Sequence, residues 1–199
     1  MLKPRETMIA LFLFGILLLC DSHAILSKSC EKKIEGDCPD ANKVMMMLPK
    51  TYILQSAFNM PTFDCALQVF FNRSLSFRGL SKSYTMYNLI DVYKNGRYQG
   101  KALYVRDFQD YTIILDNRPE IYFPPKRSLQ ILFSNKESCM VTKNPESHFP
   151  DKACSLLVTE GTFEHPPTEC TEAFRRHCGD PARNYTNISQ CQQHNNYIQ

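Results

Sequence analysis

Nine cysteines are the residues best equipped for chemistry in this chain, and their spacing decides which chemistry. A structural zinc site calls for close pairs such as C-x-x-C. Cys30, Cys38, Cys65, Cys139, Cys154, Cys170, Cys178 and Cys191 contain no such pair, and Cys20 lies in an apolar N-terminal run. The eight distal cysteines, an even number, read as four disulfides made in an oxidising compartment. The histidines beyond residue 24 are His148, His165, His177 and His194. None forms H-E-x-x-H or stands at i, i+4 to another ligand, so no metal site is expected. No G-x-S-x-G, phosphate-binding loop or dinucleotide fingerprint occurs. Asp107 and Asp110 are the nearest approach to a catalytic acid pair, and charged loop residues account for them more simply. The expectation is a binding protein with no catalytic residue and no cofactor.

The N-terminus suggests where it works. Lys3 and Arg5 precede the apolar run Met8–Cys20 (MIALFLFGILLLC), and Ser22 and Ala24 supply the small residues of a cleavage site. This is the three-part pattern of a secretory signal peptide. The run is too short for a membrane span, which needs about 20 apolar residues. Residues 1–24 are therefore read as a cleaved leader and 25–199 as one secreted domain, with no membrane partner. Three sequons agree with that compartment: Asn72-Arg-Ser74, Asn184-Tyr-Thr186 and Asn187-Ile-Ser189, so Asn72, Asn184 and Asn187 are glycosylation candidates. Net charge is +3 with scattered basic residues, of which Arg175, Arg176 and His177 form the tightest group. A solvated helix face explains that group, and no basic stripe suggests nucleic acid.

The elements that must position any site are mostly strands. Short runs rich in aromatic and β-branched residues, separated by turn signals, predict eight. They are Thr51–Phe58, Phe63–Phe71, Ser83–Tyr93, Arg97–Arg106, Tyr111–Leu115, Ser128–Ser134, Ser138–Thr142 and Cys154–Glu160. Asn95-Gly96 suits a type I′ hairpin turn, since both central residues of that turn need positive φ. A second tight turn is expected at Asn135-Lys136-Glu137. Hairpins without helical crossovers favour an all-β, up-and-down antiparallel barrel, which at eight strands encloses room for one small ligand. A flat sandwich is the alternative. Asp40–Leu48 reads as a short helix capped by Asp40 and ended by Pro49. Thr168–Cys178, between Pro166-Pro167 and Gly179, reads as a second helix, with Cys170, Phe174 and Cys178 on one face.

Several landmarks then carry a family resemblance: TYILQSAF, TFDC, LQILFSNKESCMV, ACSLLV, PPTEC, FRRHCG and NISQC, in that order. Together they resemble the tick salivary lipocalins, which include the histamine-binding proteins. The resemblance implies an eight-stranded barrel closed by a C-terminal helix, with a ligand inside. It also implies the bonds Cys65–Cys191 and Cys139–Cys170, with Cys154–Cys178 as a further strand-to-helix bond, leaving Cys30 and Cys38 to bond locally. Eight cysteines allow 105 connectivities, so this choice rests on the resemblance.

The chain departs from the amine-binding members of that family. Those carry Cys-Asp in the seventh strand and Glu-Leu-Trp or Glu-Leu-Tyr in the eighth. Here Met140 follows Cys139, and Ser155-Leu156-Leu157 follows Cys154. A buried ammonium without a carboxylate is expensive, so specific histamine binding is not expected. A small hydrophobic or amphipathic ligand, such as a fatty-acid derivative, fits better, with Arg97, Lys101 or Arg106 to meet a carboxylate. Were an amine bound, Asp64, Asp91 or Glu120 would have to serve it. The ligand-binding candidates are Tyr52, Leu54 and Phe58, Tyr84 and Met86, and Ile131, Phe133 and Met140. Alternation decides which of them face inward, and one residue of register inverts the choice. The functional expectation is a salivary protein that sequesters a small host mediator, lipid or biogenic amine, and so evades host defence. The alternative is a lipocalin whose loops, Asn117–Arg127 (NRPEIYFPPKR) above all, inhibit a host complement, clotting or protease component. If the leader is read correctly, N-terminal sequencing of the secreted protein begins at Ile25; a start at Met1 contradicts it.

Overall fold

The structure is a computed structural model and describes residues 30–77, 80–119, 127–145 and 154–193. Met1–Glu31 group as one unit, of which Cys30 and Glu31 alone are described, and Lys32–Gln199 as another. The leader segment 1–24 lies outside the described residues.

Helix α1, Ala41–Met47, begins where expected: the Asp40 carboxylate accepts from Lys43 N at 3.0 Å. Eight strands follow. They are β1 Lys50–Ser56, β2 Phe63–Phe77, β3 Leu80–Tyr93, β4 Tyr98–Gln109, β5 Thr112–Asp116, β6 Arg127–Ser134, β7 Cys139–Lys143 and β8 Cys154–Val158. Each is antiparallel to the next, and β1 pairs with both β2 and β8, so the sheet closes into a barrel. All eight predicted strands are present. The clearest difference is length: β2 and β3 run on as a two-stranded ribbon as far as Phe77 and Leu80.

The β3–β4 hairpin forms, with a different turn from the one expected. Gly96 alone has positive φ (+76°), and its N–H donates to Tyr93 O at 2.9 Å while Tyr93 N donates to Arg97 O. This is a three-residue loop closed by a glycine bulge, because pairing resumes at Tyr93 and Arg97 and leaves Lys94 inside the loop. The Asn135–Glu137 turn is held by two side chains: Asn135 Oδ1 accepts from the N–H groups of Glu137, Ser138 and Cys139, and Ser134 Oγ from that of Lys136.

The C-terminal third clamps the outside of the barrel. Helix α2, Thr168–Cys178, buries Cys170, Ala173 and Phe174 and carries Arg175, Arg176 and His177 in its last turn, which suits the helix dipole. Disulfides Cys139–Cys170 and Cys154–Cys178 tie it to β7 and β8. The two-residue strand β9, Arg183–Asn184, pairs with the end of β1. Helix α3, Ser189–Gln193, is held to β2 by Cys65–Cys191. Cys30 and Cys38 are each disulfide-bonded as well.

The segment before α1 is pinned to the same outer surface. Gly36 lies so close to Phe133 that a Cβ would meet its ring at 2.7 Å, and φ is +91° there, so glycine is required. Beside it the buried Asp37 carboxylate accepts from Lys33 N, Ile34 N and Arg176 Nη2, with His177 Nε2 at 3.0 Å. Burial raises its pKa, but the bonds from His177, from both backbone amides and from Arg176 outweigh that, and the net pKa is lowered. A lowered folded pKa contributes stability above the unfolded carboxylate range, and that stability is lost as pH falls through the folded value. Asp37→Asn should cost about 1–3 kcal/mol at neutral pH and flatten the acid limb of a melting-temperature profile. An unchanged profile would mean the clamp contributes nothing.

Candidate ligand-binding site

Closure sorts every strand residue onto one of two faces. Buried side chains from β2 to β8 and from α1 meet in one cluster, which only the barrel interior can gather. Its members include Phe70, Tyr87, Leu103, Ile113, Ile131, Met140 and Leu157, with Val44 and Met45 of α1 and its C-cap Leu48 below them. Helix α1 thus floors the barrel with apolar surface, and its first amide donates to the Asp110 carbonyl in the β4–β5 turn at 2.8 Å.

Toward the other end the inner face turns polar. Thr51 is registered with Gln68, Gln68 with Leu89, and Ala66 with Asp91, and Asp91 in turn with Gln99. Gln68 is 0% exposed. Both ends of its amide, and the Thr51 hydroxyl, are buried without a hydrogen-bond partner among the described residues. Such groups cost about 1–3 kcal/mol each in a closed fold. Asp91, two residues along the same face, is half-buried with no hydrogen bond or ion pair among the described residues. Burial pushes its carboxyl pKa up. Ile53, Leu89 and Ser155 keep some accessible surface here, and Lys101 is exposed, so this end is the open one.

The β9 strap borders this opening. Arg183 Nη2 donates to Phe63 O at 2.7 Å and its guanidinium lies 4.7 Å from the centre of the Tyr185 ring. Burial raises the Tyr185 pKa, Arg183 pulls it down, and the Asp91 charge pushes it up, so phenol and carboxylate are electrostatic neighbours. Cys178 and Cys191 anchor the strap at both ends.

Among the sequence candidates, Ile131 and Met140 line the interior. Tyr52, Met86 and Phe133 instead take the outer face, by register with Leu67, Phe71 and Val141; Leu54 sits at the bulge between Ile53 and Gln55, and Tyr84 lies opposite Arg73 beyond the barrel ladders. Tyr52 is buried beneath the clamp, its hydroxyl 3.3 Å from Glu160 Oε2 in the 3-10 turn Glu160–Thr162. Phe133 is the instructive case: a bulge between Ile131 and Phe133 puts these two residues on opposite faces. Phe58 lies past the end of β1 and is exposed. Met140 and Ser155, which stand where the resemblance led to acids, both face inward. Of the cations, Lys101 is on the inner face opposite Leu89, Arg97 closes the β3–β4 loop opposite Tyr93, and Arg106 donates to the Arg118 carbonyl. Residues 120–126, with Glu120 and most of the Asn117–Arg127 loop, lie outside the described residues. Asn72, Asn184 and Asn187 are exposed. Asp107 accepts from Phe108 N and Asp110 occupies a positive-φ turn position, roles that are structural. Sequence reasoning missed Gln68 and Thr51, and named Asp91 only as a fallback. The available signal was a lone polar residue within each apolar run, CALQVFF and NLIDVY.

No cluster of three or more His, Cys, Asp or Glu suited to a metal occurs among the described residues, and no described helix is long and apolar enough to cross a membrane.

A closed eight-stranded up-and-down barrel with an apolar floor and a polar mouth defines a lipocalin. Residues 40–193 match the family model described as tick histamine binding protein, and the chain belongs to that family. Among solved structures it is similar to AM182 in complex with serotonin, at 16% identity and TM-score 0.50, over 80% of this chain and 97% of that one. It is also similar to Per a 4, a major allergen from cockroaches, at 10% identity and TM-score 0.52, over 83% and 98%. No curated protein matches the chain. Gln68→Leu should raise the unliganded melting temperature, by about 1 kcal/mol of stability, because it removes an orphaned amide. A lowered melting temperature would mean the amide is satisfied within the fold.

Proposed function

We propose that this protein is secreted and sequesters a small amphipathic host mediator in its barrel. The ligand's apolar body rests on the Tyr87–Ile131–Met140 floor, and a protonated amine head meets Asp91 and Gln68. The observation that carries the reading is the Gln68 amide, fully buried and orphaned diagonally across from the half-buried Asp91 carboxylate, which has no ion pair among the described residues. An amine offers both groups what they lack: N–H donors and a positive charge. The structural likeness to a protein in complex with serotonin supports the same class of ligand. Histamine suits the site less well. It is polar at both ends, and its second end would lie against Met140 and Ile131, where the family's acid is replaced. Sequestration for evasion of host defence, delivered in saliva, is the biological form of this reading.

A carboxylate lipid is the second reading, and Lys101 on the inner face favours it. Titration calorimetry with serotonin, histamine and a long-chain fatty acid separates the two. Serotonin should bind at least about tenfold more tightly than histamine, and Asp91→Asn should weaken serotonin by about tenfold or more. Amine affinity should also fall as pH drops through the raised Asp91 pKa, since the protonated carboxyl offers no charge. The fatty acid binding most tightly, unaffected by Asp91→Asn, would overturn the amine reading in favour of Lys101.

A further inference from the structure

The ribbon formed by Asn72–Phe77 and Leu80–Thr85 extends β2 and β3 beyond the barrel ladders and touches the barrel where the Tyr84 ring packs 5.5 Å from that of Tyr104 in β4. Pairing of β1 with β2 ends at Val69, and pairing of β4 with β3 ends at Met86, so both ribbon edges are unpaired among the described residues. Its two faces differ in chemistry. One carries Asn72, Thr85, Ser74 and Ser83, joined by hydrogen bonds of 2.9 and 3.0 Å. The other carries Arg73 opposite Tyr84 and Leu75 opposite Lys82, with the Lys82 ammonium 5.3 Å from the Tyr84 ring centre. Leu75 is exposed, and neither Arg73 nor Lys82 has an ion pair among the described residues.

We propose that this apolar-basic face and the free β3 edge dock an extended acidic segment of another protein, added as an antiparallel strand. Three observations converge on that occupant. From Cys65 to Ile90 the chain holds Arg73, Arg78 and Lys82 and no Asp or Glu, so the charges this stretch itself carries are all positive. Unpaired strand edges offer backbone donors and acceptors that a peptide strand satisfies and a lipid surface does not. Cations and apolar groups alternating at strand spacing match a partner that alternates acidic and apolar side chains. A second copy of this chain is disfavoured, because two ribbons of the same sign would repel. A glycan on Asn72 would project from the hydroxyl face and leave the docking face uncovered.

The test uses the full secreted protein and a fluorescent, end-capped peptide of alternating Val and Glu, with a Val and Lys peptide as control. Anisotropy should report binding of the acidic peptide, at least about tenfold tighter than the basic one and weakened at high salt. Arg73→Glu with Lys82→Glu should reverse that preference. Hydrogen exchange, as the second readout, should slow at Leu80–Thr85 only with the acidic peptide. Equal binding of both peptides, binding of neither, or an unchanged preference in the double variant would overturn the proposal. Sedimentation of the protein with phosphatidylserine vesicles, abolished by the same double variant, would assign the face to a membrane and overturn it as well.

Discussion

Strand β1 pairs with β2 along Lys50–Tyr52 and with β8 along Tyr52–Ser56, and through these two ladders the sheet closes on itself. Closure removes the sheet edges over the barrel body and separates an enclosed face from an outer one. Every later feature follows from that separation. Thr51 and Gln68 share the enclosed face because they are registered partners. Tyr52 and Leu67, one residue along each strand, share the outer face for the same reason.

The two faces are stabilised by different means. The outer one is covered by the C-terminal clamp: three disulfides, the Phe174 side of α2, and the Asp37 carboxylate gathering donors from the preceding loop and from α2. Native disulfides in secreted domains are worth about 2–5 kcal/mol each. With that much support outside, the inner face can carry orphaned polar groups that a self-sufficient core would exclude. A fold that tolerates Gln68, Thr51 and Asp91 inward is suited to a ligand that satisfies them.

The eight strands, both main helices and the Asp40 cap were legible because each rests on local chemistry: alternation, turn residues and punctuation. The ribbon beyond Phe71 was not, since the serines and polar residues of Asn72–Ser76 and Ser81–Ser83 carry no apolar alternation, and only pairing between β2 and β3 holds them extended. The inward-facing residues were legible only in part. Met140 and Ile131 were identified, whereas Tyr52 and Met86 failed by one residue of register, which alternation alone does not set, Leu54 falls at a bulge in β1, and Tyr84 lies in the ribbon beyond the β3–β4 ladder. Phe133 failed for a different reason, a bulge at Leu132 that no local signal announces. Of the aromatic side chains, Tyr52 and Phe133 pack under the clamp, whereas Tyr87 and Phe70 fill the interior.

The proposed sequestration requires an amine head to meet the Gln68 amide inside the barrel. Side-chain amide resonances of Gln68, assigned by comparison with Gln68→Leu, give the most direct reading as serotonin is titrated. The account predicts that they shift strongly and in step with the backbone amide of Asp91, while Tyr52 and Met86 on the outer face stay unmoved. Shifts confined to the outer face, with the Gln68 amide unchanged at saturation, would contradict it.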